Sequence, residues 1–341
     1  MAAGGGGPSS PVGDRKVRAM NGGADPARLH RRPSRRRGAG RGVTVGAFDD
    51  PDIAFEVTSV TTEDGARLHV RTYGPPAAPV IVLVHGFACR VEYWNPQIAA
   101  LSGRYRVIAY DQRGLGRSTL GSHGVTAAVL GDDLAAVLQA VLPSGRRAVL
   151  VGHSFGGITV MAMAQRHPDQ FGARVAKVLL ANTVAQRFWA QTMALPFAGR
   201  YRALRRPLLV GVSRLKFALP PLAVSRGAFR WLAMSRWADP AAVDFAWMVM
   251  SGCAPAVRVL WAAGLVDMDV LAGLDGITVP TTVVVGALDR LTPPAASQQI
   301  AEALTNRGLL HRLVVLPSCG HCSNLEAPAA FIAEIEDLVG R

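Results

Sequence analysis

The stretch Ala148-Val149-Leu150-Val151-Gly152-His153-Ser154-Phe155-Gly156-Gly157 decides the fold. Four apolar residues run into a Gly-x-Ser-x-Gly turn, and a run of helical character, Gly157 to Arg166, follows at once. A strand that feeds a helix through so short a turn holds its serine at strained dihedrals with Oγ projecting outward. Glycines two residues either side are required, because side chains there would strike the neighbouring strand and helix. The helix N-terminus also brings partial positive charge and free N–H groups to the serine.

Outward from this turn, short apolar runs alternate with helical stretches. Phe55 to Thr61 and Arg67 to Tyr73 read as strands around the turn Glu63-Asp64-Gly65. Pro79 to Val84, Tyr105 to Tyr110, Ala148 to Val151, Val175 to Leu180, Thr281 to Val285 and Leu313 to Leu316 read as strands buried on both faces. Val125 to Val141, Gly157 to Arg166, Pro294 to Leu304 and Ala327 to Leu338 read as helices. This alternation predicts an α/β fold with a mainly parallel sheet. The long helical stretch between the strands near 180 and 281 far exceeds a crossover connection. It reads as a helical cap insertion over 184–275 of a core built from 53–183 and 276–341.

A serine needs a base held by a third group before it attacks a carbonyl. In this fold the chain order is serine, acid, histidine. Asp289 stands in Gly286-Ala287-Leu288-Asp289, just past the strand Thr281 to Val285. His321 follows the last strand in Pro317-Ser318-Cys319-Gly320-His321. Both lie beyond strand carboxyl ends, where enzymes of this architecture place their chemistry. Ser154, Asp289 and His321 are therefore the candidate catalytic residues. Asp267 and Asp269 are rival acids that precede their strand. Among other histidines, His123 is the rival near the expected site mouth, while His69, His85, His153, His167 and His311 read as structural. An oxyanion hole needs two main-chain donors. Phe155, after the serine, and Phe87, in His85-Gly86-Phe87 after the third strand, are the candidates.

These features together resemble the α/β-hydrolase superfamily in its cap-bearing serine branch. The resemblance rests on His85-Gly86-Phe87, on Asp111-Gln112-Arg113-Gly114-Leu115-Gly116-Arg117-Ser118, on the serine turn, on the segment around Asp289 and on Gly320-His321. It covers roughly residues 55–341 and implies a mostly parallel eight-stranded sheet flanked by helices, and a hydrolase needing no cofactor. In that family the Asp111–Ser118 segment is a scaffold loop. Relatives that open epoxides or displace halide carry an aspartate at the turn, so Ser154 argues for acyl transfer. The expected activity is cleavage of carboxylic esters or thioesters of small apolar acyl substrates. A carbon–carbon bond hydrolase or perhydrolase with the same residues, and a non-catalytic binding member, stand as alternatives.

Composition bounds the partners. The chain has 341 residues, 50% of them hydrophobic and 18% charged, with four cysteines. That excludes a wholly disordered chain and a disulfide scaffold. The formal charge of +13 is unevenly spread. Residues 1–42 hold ten Arg and Lys against Asp14 and Asp25, and residues 184–266 hold eleven against Asp239 and Asp244. The remaining body is mildly acidic. Residues 1–52 read as a disordered basic tail with no apolar run of a secretory signal, so the cytoplasm is the expected location. Nucleic acid is a poor fit to so localised a charge. An anionic membrane surface is the expected partner if the basic cap or tail has one, since tryptophans and methionines interleave with arginines in the cap. Cys319 and Cys322 flank His321, yet no second ligand pair completes a metal site.

Overall fold

In the computed structural model, residues 46, 48–186, 222–266 and 268–340 are described. The eight strands are β1 (Phe55–Thr61), β2 (Arg67–Tyr73), β3 (Val80–Val84), β4 (Arg106–Tyr110), β5 (Ala148–His153), β6 (Val175–Ala181), β7 (Thr281–Gly286) and β8 (Leu310–Leu316). They form one sheet in the order β1-β2-β4-β3-β5-β6-β7-β8. β2 runs antiparallel to both neighbours, and every other pair from β4 onward is parallel. The principal helices are α1 (Asn95–Leu101), α2 (Ala127–Val141), α3 (Phe155–Arg166), α4 (Leu222–Ala233), α5 (Pro240–Ser251), α6 (Pro255–Val266), α7 (Pro294–Thr305) and α8 (Pro328–Gly340).

The apolar runs become central strands because both sheet faces are covered. Every residue of β3, β5 and β7 is buried. Alternate side chains enter two separate layers. Val82, Ile108, Leu150 and Val178 meet Leu134, Val160 and Ile300 on one side. Ile81, Leu83, Val107 and Val149 meet Trp94, Ile98, Phe331 and Ile335 on the other.

Register places the site. Val84 pairs with Gly152, His153 with Ala181, Ala181 with Val284 and Gly286 with Leu316. The carboxyl ends of β3, β5, β6, β7 and β8 therefore lie along one sheet edge. Through α1 the chain winds from β3 to β4, and through α2 it returns across β3 to β5. β3 and β5 thus flank the point where winding reverses, the crevice in which open α/β sheets bind ligands.

Differences from the sequence reading are local. The segment after β3 is helical, a 3₁₀ turn Val91–Trp94 running into α1, and the apolar pattern gave no sign of it. α3 opens at Phe155 rather than Gly157, because the turn consumes Ser154 alone. β8 begins at Leu310, three residues early, since its half-exposed first part reads poorly as a buried run. Between β6 and β7, α4, α5 and α6 occupy the described part of the long excursion. Asp239 caps α5 through its carboxylate and Ala241 N–H, with Pro240 at the first helical position. The basic run Arg31 to Arg37 and the basic residues Arg200 to Lys216, which underlie the anionic-surface expectation, lie outside the described residues. So does Trp189. Among the described residues no single helix is long and apolar enough to cross a membrane.

The Asp111–Ser118 loop is framework. Asp111 accepts from the N–H groups of Val91 and Arg117. Arg113 is 1% exposed and bridges two buried carboxylates, Asp64 at 2.8 Å and Asp133 at 2.6 Å. It ties the β1–β2 turn to α2. Arg113→Ala leaves two carboxylates buried together without their cation. The expected cost is about 3–5 kcal/mol, read as a lower urea midpoint at neutral pH; a loss below 1 kcal/mol would contradict the assignment.

Candidate active site

Ser154 sits at φ 55°, ψ −116° between β5 and α3. A Cβ on Gly156 would lie 1.9 Å from Val84 O, and one on Gly152 would lie 2.6 Å from Gly156 O. Only hydrogen fits at either position, and the turn tucks directly against β3. Ser154 N–H donates to Ala181 O at 2.8 Å, and Thr183 Oγ1 donates to Ser154 O at 2.7 Å. Among the described residues the non-glycine positions with positive φ are Ala88, Ser154 and Asn182. All three follow strand ends that meet at this edge. Such backbone costs about 1–3 kcal/mol per residue and persists where surrounding structure over-determines it.

The structure brings Ser154, Asp289 and His321 together. His321 Nε2 lies 2.9 Å from Ser154 Oγ, and His321 Nδ1 lies 2.9 Å from Asp289 Oδ2. The carboxylate only accepts, so Nδ1 carries the ring proton and Nε2 is left to accept from the serine hydroxyl. Asp289 Oδ1 accepts from Leu291 N–H at 2.8 Å and Thr292 N–H at 2.9 Å. Its Oδ2 also accepts from Asn182 Nδ2 at 2.8 Å and Thr292 Oγ1 at 2.6 Å. Burial opposes the charge on Asp289, yet His321, Thr292 and Asn182 outweigh it and hold the carboxyl below its ordinary value.

Sequence reasoning did not find Asn182 or Thr292. Asn182 is the first residue past β6, and its amide also reaches Gly320 O at 3.2 Å while its oxygen accepts from Ser323 Oγ. The available signal was a polar residue ending an apolar strand. Thr292 stands three residues past Asp289, one beyond the Asx-turn position that Leu291 N–H fills. His153 bonds the main chain of His321 rather than Ser154 Oγ. Its Nε2–H donates to His321 O at 2.8 Å, and its ring lies 5.1 Å from the His321 ring. Burial, and next the nearby His321, push its pKa down to about 3.

The N–H groups of Phe87 and Phe155 are paired in no hydrogen bond among the described residues. The two rings pack 6.2 Å apart. His85 orients the loop that carries Phe87. Its Nε2 accepts from Gln112 N–H at 3.1 Å, which leaves Nδ1–H to donate to Gly86 O at 2.9 Å.

A cavity of about 290 Å³ opens over Ser154. Phe87, Phe155 and Ile158 line it from the core, and Phe229, Leu232 and Met250 from α4 and α5. Its described lining carries no Asp, Glu, Lys or Arg. The rival groups lie elsewhere. His123 is exposed, and its main-chain N–H donates to Asp64 Oδ2. Asp269 accepts from Leu271 N–H, and Asp267 lies outside the described residues. Cys319 and Cys322 are buried free thiols, Cys322 on the cavity wall, and burial pushes Cys319 up to about 11. Among the described residues no three His, Cys, Asp or Glu side chains are grouped to hold a metal ion.

A family model described as the alpha/beta hydrolase family matches residues 81–334. This chain belongs to the alpha/beta hydrolase family. Its relatives include a Variovorax paradoxus protein named for carbamate hydrolysis, 31% identical over 80% of this chain and 96% of its own length. A 3-oxoadipate enol-lactonase of Acinetobacter baylyi is 26% identical over 84% of this chain and 98% of its own length. Among solved alpha/beta hydrolase structures, a hydrolase from Pseudomonas aeruginosa superposes with a TM-score of 0.66 at 27% identity. That alignment covers 84% of this chain and 98% of the other.

The lowered value of Asp289 sets an acid limit. Its contribution to stability is complete above the ordinary carboxyl value of 3.8 and is lost as pH falls through the lower native value. Asp289→Asn is therefore expected to flatten the fall of stability below about pH 4, measured as urea midpoints over a pH series. An unchanged slope would contradict the charged, hydrogen-bonded carboxylate.

Proposed function

We propose that this protein is a serine hydrolase of carboxylic esters or thioesters with an uncharged, apolar acyl part. The observation that carries the reading is the continuous chain Ser154 Oγ, His321 Nε2, His321 Nδ1 and Asp289 Oδ2, two links of 2.9 Å, at the floor of a cavity whose described lining holds no Asp, Glu, Lys or Arg.

The mechanism follows from the geometry. As Ser154 Oγ attacks the acyl carbon, its proton passes to His321 Nε2. Asp289 fixes the ring orientation and stabilises the imidazolium. The oxyanion forms toward Phe87 and Phe155 N–H, each donor contributing about 3–4 kcal/mol in comparable sites. His321 returns the proton to the departing alcohol or thiol oxygen or sulfur. Water then attacks the acyl-enzyme, giving one proton to His321 and its hydroxyl to the acyl carbon, and Ser154 leaves reprotonated. The excursion between β6 and β7 acts as the cap, since α4 and α5 roof the cavity.

The relatives' named substrates, a carbamate and an enol-lactone, share an acyl carbon bearing a heteroatom leaving group. An adipate-derived substrate also bears a carboxylate, and nothing in the described lining here complements one. This favours neutral acyl groups.

Two outcomes test the reading. A fluorophosphonate probe should label the native protein and spare Ser154→Ala, while circular dichroism shows that variant folded. Labelling retained in Ser154→Ala would refute the nucleophile. Among p-nitrophenyl esters, Met250→Trp should shift preference toward shorter acyl chains by roughly tenfold in kcat/KM. An unshifted chain-length profile would refute the cavity as the acyl site.

A further inference from the structure

The main chain that carries His321 is gripped from the side of α4, by contacts apart from the hydrogen bonds that join Ser154, His321 and Asp289. His321 N–H and Cys322 N–H both donate to Ala233 O, the last residue of α4, at 2.9 and 3.2 Å. Beside this contact stands Glu326, at the end of the helical turn Ser323–Glu326. One of its oxygens accepts from Gly320 N–H at 3.0 Å, and the other accepts from Ser235 N–H at 2.8 Å. A single carboxylate thus bridges the residue before His321 and the residue two beyond α4.

The approach of the two chains is close. A Cβ on Gly320 would lie 2.8 Å from the Met234 carbonyl carbon and from Ser235 N. The Asp289 loop meets the same helix end, where Arg290 Nη1 donates to Trp231 O at 2.5 Å. α4 also lines the acyl cavity, through Phe229, Leu232 and Ala233. One short segment, Trp231 to Ser235, therefore touches the cavity, the histidine loop and the aspartate loop. Two main-chain links to Ala233 share one carbonyl, so the bridge through Glu326 is what fixes the direction of the contact as well as its distance.

We propose that Glu326 is a positioning residue that fastens the end of α4 to the His321 loop, so that an acyl group packed against α4 sets the reach from His321 Nε2 to Ser154 Oγ. Fit of the acyl chain is then expressed in the chemical step as well as in binding. This rests on the acyl-transfer reading above. Glu326 lies off the cavity lining, so its loss should leave substrate binding nearly intact.

The test compares native protein, Glu326→Ala and Glu326→Gln. Alanine removes both acceptors. Glutamine keeps the shape and one acceptor, and turns its amide donors toward an N–H. Expected are kcat values lowered roughly 10- to 100-fold for alanine and less for glutamine, with KM within about twofold, because a base displaced by a fraction of an ångström still permits binding. Fluorophosphonate labelling of Ser154 should slow in the same order. The spread of kcat across acyl-chain lengths should narrow in both variants. Glutamine is the near-isosteric variant that serves if alanine does not fold, with thermal melting as the check. Equal labelling rates in native protein and Glu326→Gln, or an effect confined to KM, would overturn the proposal and leave the acyl-transfer reading standing. Failure of the folded native protein to label at all would take both down.

Discussion

The turn at Ser154 is the constraint on which the site depends. Within one residue the chain leaves β5 and enters α3, and it does so with its backbone against Val84 O, where even a methyl group would collide. That contact fixes the first turn of α3 relative to β3, and with it the N–H of Phe155 relative to the loop carrying Phe87. It also fixes Oγ above the strand ends. Three separate main-chain strains, at Ala88, Ser154 and Asn182, converge at this edge of the sheet. Each sits where a strand ends inside a well-packed double layer, and the packing of that double layer holds the strain in place.

Charge is handled with equal economy. Among the described residues Asp289 is the fully buried carboxylate at the site, and four N–H or O–H donors besides the imidazole surround it. Such a carboxylate keeps its charge despite burial, and its fixed position holds the ring orientation. Arg113 with Asp64 and Asp133 is a second buried charge cluster, absent from the cavity lining and serving the frame. The two clusters use the same physics for different ends.

Much of this was legible in the sequence. The apolar strand runs, the serine turn with its two glycines, and the loops that bear Asp289 and His321 are local signals, each contained in fewer than ten consecutive residues. β1 and β2 were readable to their end residues, because a two-stranded antiparallel pair about a Gly turn has a strong pattern. What was not legible is relational. Asn182 meets Asp289 only because β6 and β7 share a register, and Glu326 meets Ser235 only because the long excursion returns to the histidine loop. Neither residue has a local pattern that names its partner. The helical segment after β3 escaped because Asn95-Pro96-Gln97 is buried by tertiary contacts, with Gln97 donating to Asn324 O, rather than by an apolar stripe.

The bond from His153 to the carbonyl of His321 has a mechanical consequence. β5 and β8 are separated by two intervening strands, and sheets shear. A nucleophile and a base mounted on such distant strands would drift independently. Here the residue adjoining the nucleophile grasps the peptide that bears the base, so thermal sliding of the sheet carries both partners in common mode. The gap between them is insulated from the breathing of the scaffold that supports it.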